Sequence, residues 1–212
     1  MAPTRAAIVI PARLESSRLP RKVLADIHGY PMLWHVYHRA SKAQEVQGVL
    51  VATDSVEIRD VVQSWGGNVI MTSSDCTCGT ERIASIVDDL DCELVVNVQG
   101  DEPLIEPDLV DELVRVAART KADMVTPVTK ILDTETLTSS DTVKVVRDKN
   151  GFALYFSRAA VPFVRALPVS EWIHQADHWL QIGTYVFSKK TLQEYREWDE
   201  SPLEKLEKVE QF

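Results

Sequence analysis

The chain has 212 residues, 45% of them hydrophobic and 26% charged, with a formal net charge of −9. That length can bury a full core as one large domain, or as a domain with a small appendage. The acidic balance excludes a general nucleic-acid binder, which needs a basic face, and no apolar run reaches the ~18 residues a membrane span requires.

The opening Met-Ala-Pro-Thr-Arg lacks the apolar centre of a secretory signal, so a cytoplasmic location is expected. Cys76, Cys78 and Cys92 are an odd count without framework spacing, and read as reduced thiols.

In chain order, the apolar run 6–11 predicts a strand, 31–43 a helix, 48–53 a strand and 55–65 a helix stopped by Gly66-Gly67. A short strand follows at 68–71 and a helix at 80–90, with Ile83, Ile86 and Val87 on one face. Residues 94–98 form a β-branched strand and 107–119 a helix with Leu109, Val110, Leu113, Val114 and Ala117 in step. A further strand is expected at 124–128. Strands this apolar belong where both faces are covered, as in a parallel sheet, and their alternation with helices gives a doubly wound α/β architecture.

After about residue 130 the pattern changes. Residues 142–147, 153–157 and 183–188 are strand-like with no strong helix between them, which predicts an antiparallel insertion. Ser201-Pro202-Leu203-Glu204 is a capping box with proline at the first helical position, opening a final helix.

Three constellations carry chemistry. Arg13, Ser16, Arg18, Arg21 and Lys22 follow the first strand in one loop, and open α/β sheets bind ligands beyond the carboxyl ends of their strands. No glycine cradle of the G-x-x-x-x-G-K or G-x-G-x-x-G kind follows that strand, so side-chain cations would grip a polyanion such as a phosphate chain. Second, Asn97-Val-Gln99-Gly100-Asp101-Glu102 leaves the strand at 94–98, placing Asp101 where a carboxylate can hold Mg²⁺ beside substrate phosphates. Glu102 reads as a helix-capping acid. Third, Gly79-Thr80-Glu81-Arg82 opens a helix whose start suits an anion or a base edge, though it also reads as a plain capped helix start.

These motifs occur with Gly29-x-Pro31-Met32, Ala52-Thr53-Asp54, Val143-Lys144-Val145-Val146, Tyr155-Phe156-Ser157-Arg158 and Glu210-Gln211, in that order. The chain resembles the 3-deoxy-manno-octulosonate cytidylyltransferases over about residues 6–212. The resemblance implies a Rossmann-like nucleotidyltransferase domain over residues 1–212, in which about 130–190 carries sugar binding and dimerisation. It implies transfer of CMP from CTP to Kdo or a related acidic 2-keto sugar, with pyrophosphate released and Mg²⁺ required.

Carried over by position, Arg13, Ser16, Arg18 and Lys22 would hold the CTP phosphates, with Gly79, Thr80 and Arg82 also at the nucleotide. Arg13, Lys22 and Asp101 would be catalytic, Asp101 as the Mg²⁺ ligand. Gln99, Arg158, Gln181, Tyr185 and Glu210 would line the sugar site, Arg158 meeting the sugar carboxylate. A homodimer is implied, with neither nucleic acid nor membrane as partner.

Some positions depart from the family pattern. Cys76 and Cys78 stand where His and Ser are usual, Tyr30 replaces a lysine, and Gln181 replaces the sugar-site histidine. Family members also run on through roughly one more strand and helix, with a Val-Asp-Thr whose aspartate is a second Mg²⁺ ligand, whereas this chain stops at Phe212. A shortened chain, a natural short form and another carboxylate in that role stay open. So do a different anionic acceptor and a non-catalytic binding subunit as alternatives to the Kdo reaction.

Outside these motifs, His174 and His178 have an i, i+4 spacing but no third metal ligand. Glu204 and Lys208 read as a surface pair, and Glu207 as plain helix surface.

Overall fold

The structure, a computed structural model, describes residues 4–15 and 19–209. The first elements are β1 (Ala6–Ala12), the small hairpin β2 (Asp26–Ile27) and β3 (Tyr30–Pro31), α1 (Met32–Ala40), β4 (Val49–Thr53), α2 (Val56–Ser64) and β5 (Val69–Met71). They continue with α3 (Gly79–Ala84), β6 (Leu94–Asn97), α4 (Pro107–Thr120), β7 (Met124–Val125), β8 (Val128–Lys130), α5 (Thr134–Thr138) and β9 (Lys144–Arg147). The last are β10 (Ala153–Ser157), α6 (Trp172–Gln175), β11 (Trp179–Gln181), β12 (Tyr185–Ser188), α7 (Lys189–Tyr195) and α8 (Pro202–Glu207).

Two compact units result, one of Met1–Val125 with Gly183–Trp198 and one of Thr126–Ile182 with Asp199–Phe212. The first unit is a six-stranded sheet in the order β5-β4-β1-β6-β12-β7. β5, β4, β1 and β6 run parallel, and β12 pairs antiparallel to both β6 and β7. β1 is buried at six of its seven positions, and β6 at all four. That explains why their sequences read as continuous apolar runs: a central parallel strand has no wet face.

One face of the sheet packs Ile8, Ile10, Val96 and Val98 against α1 and α4, which contribute Leu33, Val36, Val110 and Leu113. The other packs Val9, Val95, Tyr185 and Phe187 against Ile83 of α3 and Leu192 of α7. From β1 the chain steps outward to β4 and β5, then returns to β6 on the opposite side of β1. That reversal is the topological switch point, where such sheets open a crevice beyond their strand ends.

The second unit is an antiparallel sheet in the order β10-β9-β11-β8, the antiparallel part expected after about residue 130. Val145, Phe156 and Val209 pack against Val128, Val143 and Trp179, while Ile131, Leu137 and Trp172 form a separate cluster.

Several boundaries differ from the sequence reading, each for a local reason. The strand expected at 124–128 is two strands, because Pro127 has no N–H for a ladder and breaks the run between β7 and β8. The helix expected at 80–90 ends at Ala84; Ser85 Oγ turns back to donate to Arg82 O at 2.8 Å, competing with the helical ladder. Ile86, Val87 and Leu90 stay buried beyond it, in and around a 3₁₀ turn, so the apolar pattern reported burial correctly and conformation incorrectly. α7 was not foreseen, although Ser188 caps it by accepting the Thr191 N–H.

α6 stops at Gln175, so His174 and His178 do not share a helix face. His178 is fully buried, its two ring nitrogens each 3.0 Å from a backbone carbonyl, of Ala176 and of Pro162. It is a core histidine.

Candidate functional site

In the first unit, the loops leaving β1 and β6 meet at the switch point. Lys22 Nζ lies 2.6 Å from Asp101 Oδ2, with both side chains part-exposed. The close approach rests on Gly100: a Cβ there would stand 3.1 Å from the Pro11 carbonyl oxygen of β1. Gly79, at the start of α3, reaches the same spot, where a Cβ would lie 3.1 Å from Pro11 Cγ and 3.5 Å from Gln99 Oε1. Arg13 is exposed and its guanidinium donates to Thr77 O at 3.4 Å, linking the β1 loop to the segment before α3. Residues far apart in sequence (Arg13, Lys22, Gly79, Gln99 and Asp101) thus converge on one end of the sheet.

The other cations of the β1 loop divide. Arg21 is turned away and ion-paired with Glu57 at the start of α2. Ser16 and Arg18, expected at the nucleotide phosphates, lie outside the described residues, as does Glu210.

Arg82 is 3% exposed and pairs with Asp54 at 3.1 Å, while also donating to Thr72 Oγ1 and Ser73 O. It ties the end of β4 to the segment after β5, and this network occupies it. Thr80 is buried beside it in α3. Cys78 has a structural task, since its Sγ accepts the Glu81 N–H as the cap of α3 and lies 3.7 Å from Tyr195 Oη. The thiol takes the place of the usual capping oxygen.

Gln99 follows Asn97 on the same side of the chain and donates from Nε2 to Asn97 Oδ1 at 3.2 Å. Tyr185 stands opposite Asn97 across the β6–β12 ladder, mostly buried and stacked on Phe187. Two residues expected at the sugar, Gln99 and Tyr185, are therefore brought to one corner of this unit.

Glu102 is not the helix cap expected of it. The N-cap position of α4 falls on Glu106, whose side chain makes no capping hydrogen bond, and Glu102 instead accepts a hydrogen bond from Thr184 Oγ1 at 2.8 Å. Burial pushes its carboxyl above the ordinary value, with the Asp101 charge adding to this and the Thr184 hydrogen bond opposing it.

In the second unit, Arg158 spends its guanidinium on backbone carbonyls: Nε on Glu207, one terminal nitrogen on Ser140 and the other on Lys208. Glu207, read from sequence as bare surface, accepts from Ser157 Oγ at 2.8 Å, from the Arg158 N–H at 2.9 Å and from Tyr155 Oη at 3.3 Å. The Arg158 N–H, above all, holds its carboxyl below the ordinary value.

Beneath this lies Lys144, fully buried, its ammonium donating to the carbonyls of Ser139, Thr142 and Arg158. Burial first, then the Arg158 charge, lowers its pKa, and Glu207 opposes them. Sequence reading quoted Lys144 within a motif but gave it no role and took Glu207 for helix surface, though a lysine within the apolar run Val143–Val146 was a usable signal. Glu204 completes the capping box of α8, while Lys208 Nζ faces Glu200 at 3.8 Å, so the surface pair expected of them does not form. Gln181 donates to Thr126 Oγ1 at 3.0 Å and to the Ile182 carbonyl.

A mostly parallel sheet with its strand order reversing at a cation–carboxylate pair defines a nucleotide-binding α/β domain of the doubly wound class. Comparison with known proteins then gives the particular family: a cytidylyltransferase family model matches residues 7–212, and the chain belongs to that family. It is 43% identical over 209 residues to the 3-deoxy-manno-octulosonate cytidylyltransferase of Francisella tularensis subsp. novicida, spanning 97% of this chain and 83% of that one. The enzyme of the same name from Idiomarina loihiensis is 44% identical over 217 residues. A solved structure of CMP:2-keto-3-deoxy-manno-octonic acid synthetase, complexed with CTP, superposes with a TM-score of 0.91 at 38% identity. It covers 98% of this chain and 84% of that one.

Proposed function

We propose that this chain transfers CMP from CTP to 3-deoxy-manno-octulosonate or a related acidic 2-keto sugar, supplying precursor for lipopolysaccharide or another surface polysaccharide. The observation that carries this reading is the Lys22–Asp101 pair at the switch point, in a chain of this family. The sugar's anomeric hydroxyl attacks the α-phosphorus of CTP, the bond to the bridging oxygen breaks, and pyrophosphate leaves as the hydroxyl proton is lost. Such transfers need positioning and charge neutralisation more than a covalent catalyst.

Arg13 and Lys22 neutralise phosphate charge, Lys22 at the α-phosphate, and the resemblance assigns Ser16 and Arg18 to the same phosphates. Gly79, Thr80 and Arg82 are assigned to the nucleotide, the buried Arg82 acting through the network that holds Asp54, Thr72 and Ser73. Gln99, Arg158, Gln181, Tyr185 and Glu210 are assigned to the sugar.

The residues fit Mg²⁺. Asp101 is a part-exposed carboxylate whose Oδ2 lies 2.6 Å from the Lys22 ammonium assigned to the phosphates. That matches the usual Mg²⁺ site of one or two carboxylates completed by substrate phosphates. Asp101 would hold the ion, which when bound supplies charge neutralisation on the phosphate oxygens.

Gln181 favours a second acceptor as an alternative. Its amide is engaged with Thr126 and Ile182 and carries no charge toward an acid. No helix among the described residues is long and apolar enough to cross a membrane. A cytoplasmic homodimer is part of the same proposal.

A pyrophosphate-release assay with CTP, Mg²⁺ and a panel of 2-keto sugar acids tests the reading. Turnover on Kdo that is abolished by EDTA and restored by Mg²⁺ is expected. Turnover on another acid alone would select the second acceptor. CTP binding without turnover on any acid would leave a binding subunit.

A further inference from the structure

Asn97 is fully buried at the end of β6, in a run otherwise made of leucine and valine. Its Oδ1 accepts from Gln99 Nε2, and its Nδ2 has no hydrogen-bond partner among the described residues. A buried orphan donor is destabilising, and a leucine of similar volume would avoid it. Packing therefore gives no reason for an amide here, and buried polar groups left unsatisfied in this way call for another explanation.

The explanation lies in what Asn97 does to Gln99. A carboxamide has one donor end and one acceptor end. With Nε2 turned inward to Asn97, the Gln99 oxygen is turned toward the start of α3, 3.5 Å from where a Cβ of Gly79 would stand. If both amides were swapped, Asn97 would donate and Gln99 would present its NH₂ instead.

We propose that Asn97 is a positioning residue that fixes the Gln99 carboxamide with its oxygen toward the substrate. The Gln99 subsite thereby accepts from a sugar hydroxyl and disfavours a carboxylate. This rests on the assignment of Gln99 to the sugar, and goes beyond it by naming the group Gln99 recognises and the residue that sets that choice.

Steady-state kinetics on Asn97→Ala, Asn97→Asp, Gln99→Ala and the double alanine variant, with thermal melts of each, test it. Asn97→Ala is expected to raise KM for the sugar acid about tenfold, the effect of one net hydrogen bond, with KM for CTP within about twofold. Asn97→Asp keeps only the acceptor. It is expected to melt lower, through its buried carboxyl, while bringing the sugar KM back near that of the unaltered chain. The double variant should be no worse than Gln99→Ala alone.

Independent, multiplying effects of the two alanine substitutions would overturn the proposal. So would a sugar KM in Asn97→Asp raised as far as in Gln99→Ala, a comparison that stands even where Asn97→Ala does not fold. No turnover of any sugar acid by the unaltered chain would instead sink the functional reading, and this proposal with it.

Discussion

Lys22 and Asp101 face each other across 2.6 Å with side chains 35% and 43% exposed, a setting in which an ion pair contributes about 0–1 kcal/mol to folding. Their value in the proposed reaction is far larger, since Lys22 would neutralise phosphate charge directly and Asp101 would hold the Mg²⁺ that does the same. Lys22→Ala and Asp101→Asn are each expected to lower kcat about 100-fold or more while leaving the melting temperature nearly unchanged. Near-normal kcat in either variant would show that the residue has another role. Both were legible in the sequence, because charged residues after a central strand have few structural uses. Arg158 and Arg82 were legible only as cations. That one is clamped to three carbonyls and the other is buried against Asp54 follows from residues up to 50 positions away.

At the level of elements, the segment after α8 is held by the Glu207 carboxylate and the Arg158 guanidinium, which bind each other's backbone as well as Ser157 and Tyr155. Because the fold lowers the Glu207 pKa, its contribution to stability is present above the unfolded value near 4.5 and is lost as pH falls through the lower folded value. Glu207→Gln should therefore be less stable than the unaltered chain at neutral pH, with the two melting curves converging as pH falls from about 5 to 3. Parallel curves over that range would mean that the carboxylate carries no such load. The sequence could not supply this, since Glu207 sits among exposed charges and its partners come from β10. Element types were easier to read than their limits. Pro127 ends one strand and Ser85 ends a helix, and at both points the apolar pattern runs on regardless.

For the whole molecule, the proposed homodimer has a natural surface in the second unit. β10 is an edge strand of its sheet; Phe152, just before it, and Leu154 within it are 53% and 66% exposed. An edge strand flanked by exposed apolar side chains, as β10 is among the described residues, is a template for pairing. Sedimentation is expected to give twice the 23.8 kDa of one chain, and Leu154→Lys to shift that mass toward the monomer. A monomer for the unaltered chain would remove the dimer from the proposal.

By itself the sequence determined the α/β class, the order of the parallel strands' helices and the two loops that carry charge, because burial on both faces and local turn chemistry leave direct marks in residue order. Only the tertiary structure decided which of those charges are available. Lys22 meets Asp101, Arg21 is taken by Glu57, and Gln99 is turned by Asn97. A side chain's partners lie across strands and loops distant in the chain, and pairings of that kind are set by topology rather than by neighbouring residues.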